Sequence, residues 1–236
     1  MSLAGACLAA LALGALTSST GASTDSRATA PRVVIHGTTR GSTLTLNVRR
    51  NHLVLKGRMA RRHQHGCRFR RHHLRAVCRL AGKSYIRLKM GPRGDFVRVE
   101  HRLPLPLVVS LGRGSDKFIG NGERDICFPG GSRRNRCVGG PGKDTCITGP
   151  RNSDCVGGAG NDYCETSTGS DGCWGGPGRD VCRMGPGHDG CHGEGGNDRL
   201  YGGSSSDQLY GGGGYDYCDG GPGVGKSHTC EAGPRH

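Results

Sequence analysis

Aspartates recur at a fixed step along the second half of this chain. Apart from Asp154, those between Asp144 and Asp216 stand nine or eighteen residues apart, and glycine clusters precede most of them. Carboxylate oxygens are hard ligands of the kind that divalent cations such as Ca²⁺ take in proteins. One carboxylate at the same place in every repeat therefore predicts a row of divalent-cation sites. The candidate ligands are Asp125, Asp144, Asp162, Asp180, Asp198 and Asp216, together with Asp171, Asp189 and Asp207.

The glycines before these aspartates indicate how the loops are shaped. A loop that points its carbonyl oxygens at an ion needs positive φ angles, which glycine adopts at little cost. Without the ion the stacked carboxylates would repel one another, so folding and ion binding are predicted to be one event. The glycines expected to complete the sites are Gly140, Gly142, Gly158, Gly160, Gly176, Gly178, Gly212 and Gly214.

The repeat also has a cysteine or a large apolar residue two places after the aspartate. Ten of the 13 cysteines occupy this position, and Leu200 and Leu209 take the same step. A fixed nine-residue period predicts a stacked repeat architecture. With 45 glycines in 236 residues and 5% aromatic residues, the chain cannot build an ordinary core. Bound ions or cross-links are therefore expected to hold the fold.

This pattern resembles the glycine-rich nonapeptide of repeats-in-toxin (RTX, hemolysin-type) proteins, Gly-Gly-x-Gly-x-Asp-x-U-x, where U is large and apolar. The resemblance covers about residues 111–231. It implies calcium as the bound ion and a parallel β-roll in which two nonapeptides build one turn. Residues eighteen apart would then be neighbours on successive turns. The fold class predicted is therefore all-β: a parallel β-roll, or β-solenoid, of nonapeptide repeats with a small N-terminal β cap.

Alternate repeats face opposite edges of such a roll, so the aspartates form two rows. The first edge, defined by Asp125 and every second repeat after it, keeps its aspartates throughout. The second edge, which begins at Asp116, has Asn135 and Ser153 in place of carboxylates, although neighbouring Asp154 could supply one. We predict a continuous calcium ladder on the first edge and a broken one on the second. The alternative is that these aspartates only cap glycine-rich turns.

The cysteines depart from the family pattern, which has Leu, Ile or Val at U. As thiols they would make a thin apolar core. As disulfides they would link turns, because a turn spacing of about 4.8 Å lies within the Cα range of a disulfide. Sorting by edge suggests bonds between neighbouring turns, although connectivity cannot be deduced from sequence. The suggested pairs are Cys127–Cys146, Cys137–Cys155, Cys164–Cys182, Cys173–Cys191 and Cys218–Cys230.

The first thirty residues predict a leader. Residues 3–16 are apolar and precede a Ser/Thr/Ala-rich stretch, which is typical of a secretory signal peptide. The run is too short to span a bilayer, so no transmembrane segment is expected in the mature chain. Removing the leader removes Cys7 and leaves twelve cysteines, an even number that favours disulfides in a secreted, extracellular protein. The predicted domains are 1–30 (signal peptide), 31–84 (basic β cap) and 85–236 (calcium-binding β-roll).

The cap region is strongly basic. Residues 31–113 hold twenty Lys or Arg against two acidic residues. Alternating segments predict strands at 32–36 and 85–90 and a hairpin of 43–48 with 53–55, whereas 58–75, rich in Arg and His, is predicted to be an exposed loop. A local disulfide between Cys67 and Cys78 is expected there. Zinc binding by these cysteines and nearby histidines is the alternative.

The motifs that would mark catalysis are missing. The chain has no G-x-S-x-G and no H-E-x-x-H. Residues 220–227 fit a phosphate-loop expression, but inside a glycine-rich repeat this predicts no nucleotide site. We therefore predict a non-enzymatic, secreted calcium-binding protein with a structural or adhesive role. The alternative is a binding module whose basic segment engages an anionic cell-surface polymer while calcium only orders the scaffold.

Overall fold

The protein is a parallel β-solenoid of about seven turns, which confirms the predicted all-β roll. The computed structural model describes residues 32–60, 67–70, 74–122, 124–131, 134–223 and 226–232. These residues form 21 strands and no helix, and so none that could cross a membrane. The predicted signal peptide, residues 1–30, lies outside the described residues.

The strands are short, as a nine-residue repeat of turn and strand requires. In chain order they are β1 (Arg32–His36), β2 (Thr43–Arg49), β3 (His52–Gly57), β4 (Cys67–Arg70), β5 (Arg75–Arg79), β6 (Tyr85–Lys89), β7 (Phe96–Val99), β8 (Leu107–Ser110), β9 (Lys117–Ile119), β10 (Asp125–Phe128), β11 (Asn135–Pro141), β12 (Thr145–Ile147), β13 (Ser153–Ala159), β14 (Tyr163–Glu165), β15 (Gly172–Pro177), β16 (Val181–Arg183), β17 (Gly190–Gly195), β18 (Arg199–Tyr201), β19 (Gln208–Gly213), β20 (Tyr217–Asp219) and β21 (Lys226–His228).

The strands alternate between two sheets that face each other across the core. Sheet A has the order β1-β6-β8-β10-β12-β14-β16-β18-β20 and is parallel throughout. Sheet B has the order β21-β19-β17-β15-β13-β11-β9-β7-β2-β3-β5-β4. Within the repeats a residue pairs with the residue eighteen places later, as between Tyr163 and Val181. The nonapeptide period therefore sets the register of both sheets.

Both sheets begin before the recognisable repeats. Strand β1 pairs in parallel with β6, and β2 pairs in parallel with β7. Strands β3, β5 and β4 then extend sheet B in antiparallel fashion, and the β2–β3 pairing confirms the predicted hairpin. The first turn of the roll is thus built from segments that carry no aspartate motif.

The predicted exposed loop at 58–75 was wrong where the structure describes it. Strand β4 pairs with β5 in antiparallel register, and Cys67 is disulfide-bonded to Cys78 as expected. Met59 is buried, and Phe69 packs against the core. The apolar residues of this segment are too widely spaced to show a strand period in the sequence. Its strand is identified only by its pairing at the edge of sheet B. Residues 61–66 and 71–73, with the histidines of the zinc alternative, lie outside the described residues.

The core changes composition along the roll. Its first turns are filled by branched aliphatic side chains such as Ile35, Leu46 and Leu88. From Cys127 to Cys191 the inward positions are cysteines, and Leu200 and Leu209 follow. A cysteine side chain is smaller than that of Leu or Ile and behaves as a modest hydrophobe when buried. The cysteine-filled turns therefore have the thinnest apolar core and depend most on other stabilisation.

Candidate functional site

The aspartates of the repeat lie in two rows, one at each edge of the roll. The first-edge residues come just before or at the start of the strands of sheet A, and the second-edge residues do the same for sheet B. Almost all are buried, although they belong to turns; Asp162, for example, is only 5% exposed. Buried carboxylates need partners, because an isolated buried charge is costly.

On the first edge from Asp144 to Asp216, one oxygen of each carboxylate has a partner on the neighbouring turn, whereas both oxygens of Asp125 lack one. On the first edge the backbone N–H of Asp144 donates to Oδ1 of Asp162 at 2.7 Å. The N–H of Asp162 donates to Asp180 at 2.7 Å, and that of Asp180 to Asp198 at 2.8 Å. The same bond recurs from Asp125 to Asp144 and from Asp198 to Asp216. These bonds form a continuous ladder along the first edge.

The second oxygen of each carboxylate is buried without a hydrogen-bond partner. This holds for Oδ2 of first-edge Asp125, Asp144, Asp162, Asp180, Asp198 and Asp216, and of second-edge Asp116, Asp171, Asp189 and Asp207. Buried polar atoms are rarely left unsatisfied, and a repeated exception indicates an ion that the loop is built to hold. The chemistry of these donors, carboxylate oxygen and backbone carbonyl, suits Ca²⁺.

The unpartnered oxygens converge with a carbonyl of the next turn. A Cβ placed on Gly157 would lie 2.5 Å from Oδ2 of Asp162 and 2.6 Å from the carbonyl oxygen of Gly175. Gly175 repeats this arrangement with Asp180 and Gly193, and Gly193 repeats it with Asp198 and Gly211. Each glycine therefore leaves open the space on which a carboxylate and a carbonyl oxygen converge.

The predicted glycines occupy positive-φ positions in the same loops. The φ angles of Gly158 and Gly160 are 112° and 141°, and Gly176 and Gly178 repeat them at 106° and 155°. A Cβ on any of these four would collide with the carbonyl of the glycine one turn earlier. Positive φ extends to all eight predicted positions: Gly140, Gly142, Gly158, Gly160, Gly176, Gly178, Gly212 and Gly214. Their role as ligands remains a prediction.

The second edge is built differently where carboxylates are missing. Asn135 keeps the ladder bond, since its Oδ1 accepts the N–H of Asp116 at 2.8 Å. Ser153 donates its hydroxyl to the carbonyl of Arg151 at 3.1 Å. The suggested replacement by Asp154 was wrong: strand alternation points this side chain away from the core, and its carboxylate pairs with Arg134 at 3.1 Å.

Burial raises the pKa of Asp144, Asp180 and Asp189 above the ordinary value of 3.8. The pKa of Asp144 rises to about 8, mainly through desolvation; the charges of Asp125 and Asp162 on adjacent turns add to the rise, and the N–H of Asp125 opposes it. Desolvation raises the pKa of Asp180 and of Asp189 to about 7. The loops thus favour protonated carboxyls until a cation supplies compensating charge.

The cysteines form a buried column between the two rows. Cys218 is bonded to Cys230 as predicted. The pairings predicted for Cys127 and Cys137 were wrong, because these two bond to each other with a Cα separation of 6.4 Å. Their side chains point at one another from opposite sheets, whereas neighbours within a sheet point the same way. The pairings Cys164–Cys182 and Cys173–Cys191 are also absent: Cys146, Cys155, Cys164, Cys173, Cys182 and Cys191 are buried thiols in the structure.

Neither Asp95 nor Glu231 was placed in a ladder from the sequence, although both belong to one. Asp95 precedes β7 and accepts the N–H of Ser42, while its own N–H donates to Asp116 at 2.8 Å. Its motif, Gly91-Pro92-Arg93-Gly94-Asp95, was visible in the sequence with one residue missing. Glu231 ends the first-edge ladder by accepting the N–H of Asp216 at 2.7 Å. It lies fifteen residues later, outside the period, so no sequence signal identifies it.

Comparison with known protein families finds the RTX calcium-binding nonapeptide repeat. Its family model matches residues 156–173 and 192–225, in four copies. The matched segments contain the second-edge Asp171 and Asp207, the first-edge Asp162, Asp198 and Asp216, and the loops around them. Curated proteins and solved structures gave no match.

Proposed function

We propose that this chain, a protein with RTX-type calcium-binding nonapeptide repeats, acts outside the cell as a non-enzymatic structural or adhesive module ordered by calcium. The observation that carries this proposal is the pair of carboxylate rows with one buried, unpartnered oxygen per residue. Such rows suit a rigid scaffold that is stable only where calcium is abundant. Extracellular calcium modules have dissociation constants of about 10⁻⁴ to 10⁻³ M, so binding would saturate outside a cell.

The two oxygens of each loop aspartate have different roles, as Asp162 shows. Oδ1 of Asp162 fixes the spacing of two turns through the N–H of Asp144. Oδ2 of Asp162 and the carbonyl of Gly175 remain for the ion, with Gly157 leaving the space open. Bound calcium would supply the positive charge that lets the carboxyls ionise inside the fold. Ion binding and folding are coupled, because the oxygens converge only in the stacked roll.

The decisive experiment is circular dichroism of the purified, oxidised chain during a calcium titration that starts in chelator. We expect a strand-like spectrum to appear in the range of extracellular calcium, and magnesium at the same concentrations to be far less effective because it demands a tighter, octahedral site. An identical ordered spectrum in chelator and in calcium would refute calcium-dependent order. A hydrolase screen of the calcium-loaded protein tests the non-enzymatic part.

A second candidate function is attachment to an anionic polymer through the extended end of sheet B. The exposed side chains of Lys56 and Arg75 stand directly opposite each other on β3 and β5, and His52 stands opposite Arg79. Like charges in directly opposite positions destabilise a sheet. An anionic partner would relieve that repulsion through a salt-sensitive field.

Heparin affinity chromatography tests this second function. We expect retention in low salt that is lost at moderate salt, and weaker retention of Lys56→Glu. Arg199→Glu, which makes the same charge change on an exposed side chain of the repeats, is the control. If both variants lost retention equally, net charge alone would explain heparin binding, and a specific binding surface at the end of sheet B would be refuted.

A further inference from the structure

The six thiols at the centre of the roll lie in two facing columns. Cys146, Cys164 and Cys182 are in register on successive strands of sheet A. Cys155, Cys173 and Cys191 are in register on sheet B. All six are at most 6% exposed. The sulfurs of Cys164, Cys173 and Cys182 lie within 4.8 Å of one another.

We propose that, in the oxidised protein, these thiols pair across the core between the two sheets, as Cys146–Cys155, Cys164–Cys173 and Cys182–Cys191. This cross-linking goes beyond calcium binding and is tested by a separate measurement. With the bonds already present, it would give an unbroken series of cross-core disulfides from Cys127 to Cys191. Each bond would join a strand of sheet A to the following strand of sheet B.

The bond between Cys127 and Cys137 provides the geometric precedent. It joins β10 of sheet A to β11 of sheet B, which is the relationship that Cys146 on β12 has to Cys155 on β13. Neighbours within a sheet are less suitable. In-register side chains on parallel strands leave the sheet in the same direction, so their Cβ atoms stay about 4.8 Å apart. A disulfide needs a Cβ separation of about 3.5–4.5 Å.

The bond between Cys127 and Cys137 determines which of the remaining cysteines pair with each other; we call this choice the frame of the pairing. Because Cys137 is bonded to Cys127, Cys146 must turn to Cys155 if it is to bond across the core. The next pairs are then Cys164–Cys173 and Cys182–Cys191, and Leu200 ends the column with no cysteine left over. The other diagonal, Cys155–Cys164 and Cys173–Cys182, would leave two buried thiols unpaired.

The sulfurs are close enough for more than one pairing. Those of Cys164, Cys173 and Cys182 lie within 4.8 Å of one another, so proximity alone does not choose a partner for Cys164, and the bond between Cys127 and Cys137 makes the choice. A soft-metal thiolate site is the competing use of the same cluster. It would place several thiolates in an apolar column between two rows of carboxylates, which is a costly accumulation of negative charge.

The oxidation needs a named electron acceptor, which is a small-molecule or protein disulfide such as glutathione disulfide. One cysteine thiolate attacks it and releases one glutathione thiolate, leaving a mixed disulfide. The second cysteine thiolate then displaces the other glutathione, so two thiols are oxidised and one disulfide is reduced, and the two protons from the cysteines end on the two glutathione thiolates. Since the thiols are buried in the finished roll, this exchange takes place during folding.

Peptide mapping can read the pairing directly, because an aspartate separates each of these cysteines from the next. The oxidised protein is unfolded in chelator and denaturant, its free thiols are alkylated, and it is cleaved on the N-terminal side of aspartate. Each of the six cysteines then lies on its own peptide. We expect 144–153 linked to 154–161, 162–170 linked to 171–179, and 180–188 linked to 189–197.

Other outcomes would overturn the proposal. They are six alkylated cysteines, links within one sheet such as 144–153 to 162–170, or links on the other diagonal. Alkylated cysteines together with stoichiometric zinc or copper in the native protein would assign the cluster to a soft metal instead. Because mapping is done without calcium, its failure leaves the calcium titration unaffected, and the reverse also holds.

A single variant tests the frame. Cys173→Ser should leave Cys164 as the one alkylatable thiol among these cysteines, with the pairs Cys146–Cys155 and Cys182–Cys191 intact. Rearrangement of the remaining cysteines into other pairs would contradict a fixed frame. If this variant does not fold, mapping of the unsubstituted protein still decides the pairing.

Discussion

The backbone N–H of Asp144 donates to Oδ1 of Asp162 at 2.7 Å, while Oδ2 of the same carboxylate is buried without a partner. One oxygen therefore sets the spacing of the turns and the other is left for an ion. Every ladder step on the first edge from Asp144 to Asp216 repeats this division. It explains how a fold with so many glycines holds a fixed register.

Replacing Asp162 with Asn should separate these two tasks. The amide oxygen can keep the ladder bond, as Asn135 does with Asp116, but the ligand charge is lost. We expect the calcium affinity of the first edge to fall by about tenfold or more, because ligand charge tunes such sites, with the calcium-loaded spectrum unchanged. Isothermal titration calorimetry measures this. Asp154→Asn, on the outer face beside Arg134, is the control and should bind like the parent.

Replacing Ser153 with Asp should repair the second edge. Ser153 holds a ladder position but has no carboxylate, and Asp171 follows it one turn later. We expect the variant to bind about one more calcium ion per chain, since a carboxylate is the missing hard ligand. Equilibrium dialysis with metal analysis gives the number, and Ser153→Asn is the neutral control. An unchanged number would mean that the two edges do not differ as predicted.

Gly157→Ala should disturb a site without replacing any of its proposed ligands. The added Cβ would lie 2.5 Å from Oδ2 of Asp162 and 2.6 Å from the carbonyl of Gly175. We expect a loss of about 1–3 kcal/mol in the free energy of unfolding, the usual cost of overpacking, together with weaker calcium binding. Denaturant unfolding in calcium measures the loss. Gly190→Ala, where nothing lies within 4 Å of the new Cβ, should leave both quantities nearly unchanged.

The calcium-free roll should be most ordered in acid. The pKa of Asp144 is raised to about 8, that of Asp180 to about 7 and that of Asp162 to about 6, chiefly by desolvation. A raised folded-state pKa gives stability that is complete below the unfolded value near 3.8 and is lost as pH rises through the folded values. Circular dichroism in chelator should therefore show order decreasing between about pH 4 and pH 8.

Calcium should remove this pH dependence near neutrality, because it replaces the protons on the same carboxyls. The matched measurement repeats the pH series in saturating calcium, where the spectrum should stay constant from about pH 6 to pH 8. A calcium-free protein that becomes more ordered as pH rises would contradict the buried-carboxyl account.

The nine-residue period predicted a stacked repeat, and the resemblance to RTX nonapeptides implied the roll, its eighteen-residue register and the two rows of aspartates. These features follow from local repetition, since a loop of fixed length returns the chain to the same place each time. The positive φ angles of Gly158 and Gly176 were also predictable, because only glycine adopts such loops at little cost.

Only the tertiary structure decided what lies outside that period. The ten-residue step from Cys127 to Cys137 does not reveal that the two face each other across the core. Sequence spacing does not show that Asp154 points away from the core, or that Glu231 ends the first-edge ladder. Neither does it show that β1 and β2 join the sheets of the repeats. Within a periodic sequence, the spatial neighbours of a residue lie a constant number of positions away. For residues at insertions and chain ends, the neighbours are set by packing and by the direction of the side chains, which the sequence does not show.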